Sequence, residues 1–403
     1  MHTKKRLAAA LGLVLTGALT LSACGSSGDD ETGNSGATGP AQSGAAATNA
    51  AEGSDVAAKI MVIGDFTSTI AFTEPEIVPT VKGVLRDFPN VQIETCDAKG
   101  AAASYLSCEQ KAISDKVAAV VLGFSAGAQD SSLLTTAAIP VIGNGDAHSP
   151  NSYPVTESFS EYVALGAGLY NADCKKLGIV YLDGSDFLVD YIKEGFEGRG
   201  GKEVARASVA ANAADLTPAV SKVTGAGAEC VAVSLPPTGA AQALTALKQS
   251  GKQLLIGGIS AVFSQQVIDS LKSLTDGLLL VDEQENPADD TPGIKQVAAD
   301  AHAIDSKAPI TQQGISSWVA ARLVAAALPK VSGEVTNKSM AQALDSLRDV
   351  DMLGVIEPWS TVPLDSKTFS RIFNHYGINY IIKDGTPSRQ GEFYDTSDLL
   401  TGK

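Results

Sequence analysis

Short β-branched runs alternating with helical stretches constrain the fold of this chain more than any other feature. Residues 60–64, 91–95, 117–122 and 139–143 read as one series of strands. Residues 177–182, 203–209, 230–235, 253–257 and 277–281 read as a second. Several of these runs are apolar without interruption, as parallel strands are when helices cover both faces. Between them, Leu188, Tyr191, Ile192, Gly195 and Phe196 fall on one helix face, closed by Gly198, Gly200 and Gly201. Thr217 before Pro218 reads as an N-cap and first helical residue, and Thr238 opens a helix that stops near Gly251. Alternation of this kind requires right-handed crossovers and doubly wound sheets. The expected class is therefore α/β, with two flavodoxin-like parallel-sheet lobes, and 403 residues supply material for both.

The beginning of the chain is of another kind. Lys4, Lys5 and Arg6 precede an apolar run from Leu7 to Thr20, too short to span a bilayer comfortably and suited to a secretory signal. The run ends in Leu21-Ser22-Ala23-Cys24, which resembles the lipobox of bacterial lipoproteins. That resemblance implies cleavage after residue 23, diacylation of Cys24 and anchoring on the extracytoplasmic face of the cell membrane. An ordinary signal peptide cut elsewhere is the alternative. Residues 24–58 are Gly, Ser, Ala, Thr and Asn with scattered acids, which offer nothing to offset the entropy of ordering, so they read as a disordered tether.

Composition narrows the function. The formal net charge is −15, and a chain so acidic lacks the basic face that nucleic acid requires. Five cysteines are too few for a disulfide scaffold, and Cys24 accounts for the odd one. Cys96 ends a strand and Cys108 lies on the apolar face of the next helix. Cys174 and Cys230 precede strands that are neighbours in a 2-1-3-4-5 order. In an exported chain these pair as Cys96–Cys108 and Cys174–Cys230, with buried free thiols as the alternative.

Several segments in order resemble the type I periplasmic binding proteins, specifically the branched-chain amino-acid-type substrate-binding subunits of ABC transporters. They are Gln110 to Gly123, Ala138 to Gly143 with its Ile-Pro-Val-Ile core, Lys176 to Tyr181, Ala240 to Gly251, and Ser316 to Leu328. No one of these segments is specific; their order over most of the chain carries the likeness. The resemblance implies two lobes joined by a three-segment hinge, placed near residues 152–160, 282–290 and 350–358. Residues 59–155 with 286–352 would form lobe 1, and residues 156–285 with 353–403 lobe 2. It further implies a monomer without enzymatic activity or cofactor that captures a small polar organic solute, an amino acid or a relative, and delivers it to an ABC permease.

The family's pocket lies where loops at the carboxyl ends of the strands meet. In lobe 1 the matching residues are Ser125, Ala126 and Gly127, then Asn144, Gly145 and Asp146. In lobe 2 they are Phe187, Thr238, Ser260 and Glu283. Ser125 suits the family's grip on a ligand carboxylate, whereas Asp146 would repel one. Amino-acid binders usually hold the ligand ammonium with an acid where this chain has Gly258-Ile259-Ser260. Either Asp146, Asp183 or Glu283 substitutes for it, or the ligand is not an α-amino acid. Each of these residues also has a structural reading, as turn, cap or core, and Trp318 reads as core.

Two rivals stand beside this reading. A ligand-sensing lipoprotein would use the same cleft. Gly123-Phe124-Ser125-Ala126-Gly127 also matches the G-x-S-x-G elbow of serine hydrolases, with His302 and His375 downstream. No oxyanion loop precedes that motif, and a hydrolase leaves the second strand series unexplained. The chain has no HExxH, CxxC or P-loop pattern, and four histidines make a histidine metal site a poor expectation.

Overall fold

The computed structural model describes residues 55–68, 73–126, 131–156, 158–366 and 368–402. The expected signal segment, Cys24 and most of the tether lie outside the described residues, as does Gly127.

Two sheets organise the molecule. The first contains β1 (Ala58–Gly64), β2 (Val91–Asp97), β3 (Ala119–Leu122), β4 (Val141–Gly143) and β5 (Ser152–Pro154), in the order β2-β1-β3-β4-β5, all parallel. The second contains β6 (Lys176–Leu182), β7 (Lys202–Val209), β8 (Cys230–Ser234), β9 (Leu255–Ile259) and β10 (Leu278–Asp282), extended by β11 (Tyr376–Lys383) and β12 (Thr386–Asp395). Its order is β12-β11-β10-β9-β8-β6-β7, with β11 and β12 antiparallel to their neighbours. Its parallel part repeats the 2-1-3-4-5 winding of the first, so the α/β class with two doubly wound lobes is what the chain adopts.

Burial explains the uninterrupted apolar runs. Every residue of β3, β8 and β10 is buried, while the edge strands β7 and β12 carry exposed polar positions. Ile60, Val62, Ile142, Trp318 and Val324 belong to the core around the first sheet, which also takes in Val355, Trp359 and Phe373. Leu165, Leu177, Val231, Leu280 and Tyr380 belong to the core around the second. Trp318 is fully buried, and its indole N–H donates to Asp300 Oδ2 at 2.8 Å.

Both expected disulfides are present. Cys96–Cys108 ties β2 to the helix Ala102–Ser114 with Cα atoms 5.6 Å apart. Cys174–Cys230 ties the residue two before β6 to the first residue of β8, at 5.9 Å. Boundaries differ in detail from the sequence reading. β9 begins at Leu255, two residues later than expected, and Thr217 is the first residue of its helix, with Leu216 as the cap. No helix among the described residues is long and apolar enough to cross a membrane.

Candidate functional site

A cavity of about 700 Å³ opens where the carboxyl ends of both sheets face each other. The first lobe supplies Thr73, Glu74, Glu76 and Phe124, and the segment Ile310–Gln313 that leads into the helix Gln312–Ala327. The second supplies Ser260 to Gln266 apart from Val262, with Ile268, Leu280 and Pro387. Asn286, Pro287 and Ala288 close it at the connecting segment. Its size is that of a small-molecule site.

Glu74 and Glu76 stand just before the helix Ile77–Val84, and both are buried. Two glycines make room for Glu74: a Cβ on Gly123 would lie 2.8 Å from its Oε2, and one on Gly64 at 3.4 Å. Burial, and then the nearby charges of Glu76 and Asp65, push the Glu74 carboxyl up to about 9, against one backbone hydrogen bond from Phe124. Its Oε2 has no hydrogen-bond partner. Burial also raises Glu76, which accepts a hydrogen bond from the Thr311 hydroxyl.

The strand-end serines are engaged by carboxylates of the protein itself. Ser125 Oγ donates to Asp65 Oδ1 at 3.0 Å, and the Ala126 N–H donates to Asp65 Oδ2 at 2.9 Å. Gly100 N–H adds a third bond to Asp65 at 2.7 Å. In the second lobe, Ser260 Oγ donates to Asp282 Oδ2 at 2.6 Å and its N–H to Oδ1 at 3.3 Å. Gln312 Nε2, from the helix of the first lobe, reaches the same Oδ2 at 3.1 Å. Burial pushes Asp282 up to about 6 despite these donors.

Of the residues picked from the sequence, Ser260 lines the cavity, and Ser125 and Ala126 sit beside its Phe124. The other described ones lie elsewhere. Asn144 is exposed and donates its N–H to Leu122 O; Gly145 packs on the Ser152 hydroxyl. Asp146 is exposed and accepts from His148 Nδ1 at 2.9 Å. Phe187 is 56% exposed, its ring 6.2 Å from Phe159 within an aromatic cluster that also holds His148, Tyr191 and Phe369. Thr238 is exposed in the first turn of its helix, and Asp183 is exposed after β6. Glu283 is buried in the connecting segment, where its carbonyl accepts from Asn374 Nδ2 at 2.9 Å. Glu74, Glu76, Thr311 and Gln312 were not singled out in the sequence. The one signal for the two glutamates is Thr73-Glu74-Pro75-Glu76, which reads as an acidic helix start.

Ser125 has no histidine partner among the described residues. His302 Nε2 lies 3.0 Å from Ala308 O, and the His375 ring packs on Tyr376 at 4.4 Å. No group of three His, Cys, Asp or Glu that could hold a metal occurs among the described residues.

Residues 18–371 match the family described as periplasmic binding protein. No curated protein matches the sequence. Solved structures with the same fold include a fatty acid ABC transporter substrate-binding protein from Thermomonospora curvata, 14% identical, TM-score 0.69, covering 86% of this chain and 94% of that one. An ABC transporter solute-binding protein from R. palustris, in complex with 4-hydroxybenzoate, is 18% identical with TM-score 0.68, covering 84% of this chain and 97% of that one. A leucine-binding protein from Thermotoga maritima is 15% identical with TM-score 0.67, covering 85% and 99%.

Proposed function

We propose a function from one premise: this chain belongs to the periplasmic binding protein family. It captures a small organic solute between its lobes, closes over it, and presents the closed form to an ABC importer in the membrane. The observation that carries this reading is the cavity, walled by strand-end loops of both sheets and floored by the connecting segment. The residues we assign to the solute are Ser260, Phe124, Glu74, Glu76 and Gln312. Ser125 and Ala126 hold Asp65 in place beside them.

Closure needs a hinge, and we place its crossings at Val155 and Glu283, inside the expected 152–160 and 282–290, and at Asn374. The last takes the place of 350–358, since Val355, Trp359 and Phe373 belong to the core of the first sheet. A single buried side chain joins all three: Asn374 Nδ2 donates to Val155 O at 3.2 Å and to Glu283 O at 2.9 Å. A solute that prefers the closed state shifts the equilibrium by its differential affinity. The lipid on Cys24 would keep the protein at the membrane surface, and Cys24→Ala is expected to release it into the medium.

Small-angle scattering with and without the solute recovered from denatured protein tests closure. The radius of gyration is expected to fall on binding. A bound solute that leaves it unchanged would sink the closure reading.

A further inference from the structure

Resting on solute capture in this cavity, we propose that the solute is an organic amine, an ammonium on an apolar body without a carboxylate. The strand-end serines that could grip an anion are already engaged. Ser125 Oγ and the Ala126 N–H are committed to Asp65, and Ser260 Oγ and N–H to Asp282. A ligand carboxylate there would face two buried carboxylates of the protein.

What remains in the cavity suits the opposite charge. Among the described residues lining it, the titratable ones are Glu74 and Glu76, and none is Lys, Arg or His. Glu74 is 3% exposed, and its Oε2 lacks any hydrogen-bond partner. A buried carboxyl oxygen of that kind calls for a partner, and an ammonium supplies both a donor and the counter-charge once the carboxyl gives up its proton. Phe124, Phe263, Ile268, Leu280 and Ile310 give the cavity an apolar wall for the rest of the molecule. Aromatic faces and a cation are compatible neighbours.

The charge state of Glu74 gives the binding event a signature. The titratable groups that act on it are Glu76 on its own segment and Asp65 at the end of β1, both acidic. Empty, the carboxyl is held protonated near neutral pH. An ammonium beside it reverses the repulsion, so binding releases a proton.

The test uses the full chain and four probes sharing one ring: phenethylamine, phenylacetate, phenylalanine and 2-phenylethanol. Phenethylamine alone is expected to raise Tm. Its calorimetric heat should vary with buffer ionisation enthalpy, as proton release requires. Glu74→Gln with Glu76→Gln is expected to weaken it at least tenfold while the circular dichroism spectrum is kept. Mass spectrometry of solutes released from the natively purified protein is expected to find an amine without a carboxylate. Tighter binding of phenylacetate or the alcohol, equal binding of phenylalanine, or release of an acid would overturn the amine class and leave solute capture standing. Unchanged affinity in the double variant would overturn the role of the two glutamates. If no probe binds and no solute is released, both the amine class and solute capture fall.

Discussion

Ser125, after the third strand of the first sheet, and Ser260, after the fourth parallel strand of the second, both lie in strand-end loops, and each donates its hydroxyl to a buried aspartate. The difference lies in what else that aspartate touches. Asp65 is bound by Ser125, Ala126 and Gly100, all from its own lobe. Asp282 is bound by Ser260 and also by Gln312 from the other lobe, which Gln284 of the connecting segment holds through Nε2 at 2.6 Å. One local motif therefore stabilises a loop in the first lobe and couples two lobes in the second. The pairing of serine with aspartate is local chemistry; position relative to the hinge decides its consequence.

The two lobes also differ in their covalent ties, and the largest expected effect tests that. Cys96 and Cys108 are 12 residues apart, whereas Cys174 and Cys230 are 56 apart. The loop-entropy relation gives about 3 kcal/mol for the first tie and about 4 kcal/mol for the second. Denaturant titration of Cys96→Ser/Cys108→Ser and of Cys174→Ser/Cys230→Ser should show the larger loss in the second pair. Equal losses would show that native-state contacts, and not loop length, set the contribution.

Titration of Asp282 gives the next test. The carboxyl of Asp282 is raised from 3.8 to about 6, chiefly by burial. Between those values the native state keeps a proton that the unfolded chain has lost. Stability from this group is thus complete below about pH 4 and lost as pH rises through about 6. The loss is up to about 3 kcal/mol at about 1.4 kcal/mol per unit. Glu74, raised to about 9, carries the same sign to higher pH. The stability difference between wild type and Asp282→Asn, measured from pH 4 to 8, should change mainly below about pH 6. A difference that is flat with pH would remove the burial argument.

Neutralising each aspartate gives a smaller contrast. In Asp65→Asn an amide N–H₂ must face one of three donors that now meet a carboxylate, at a cost of about 2 kcal/mol. In Asp282→Asn the lost acceptor is offset by relief of a buried charge, leaving under about 1 kcal/mol at neutral pH. Urea midpoints at pH 7 compare the two directly. A greater loss in Asp282→Asn would mean that the inter-lobe bond from Gln312 outweighs desolvation.

The extent to which sequence revealed this follows from what is local. Apolar β-branched runs such as Ala119–Leu122 and Cys230–Ser234 announced buried parallel strands, because continuous burial leaves a continuous pattern. β5 is three residues ending in Pro154 and leaves none. The hairpin of β11 and β12 turns at Asp384-Gly385, a signal that the surrounding α/β alternation obscured. At the site, Ser125 and Ser260 were legible as strand-end hydroxyls. Their aspartate partners were not, since Asp65 and Ser125 are 60 residues apart and meet only because β1 pairs with β3. Glu74 carries only the weak mark of an acid ahead of a helix; burial between Gly64, Gly123 and Ile77 is what sets it apart.

Removing the hydroxyls themselves is the mildest intervention and the sharpest on the comparison. Ser125→Ala and Ser260→Ala each delete one bond to a buried carboxylate, worth about 1–2 kcal/mol. Ser260 lines the cavity, so only its variant is expected to change solute affinity. The two should also differ in titration. The Ser260 hydroxyl bond opposes the burial that raises Asp282, so its loss moves the stability decline to higher pH. Ser125→Ala touches a different carboxylate and should leave that midpoint in place. Stability curves from pH 4 to 8 on both variants read this out. A midpoint that moves in Ser125→Ala, or stays fixed in Ser260→Ala, would mean that something other than the serine bond sets the proton affinity of Asp282.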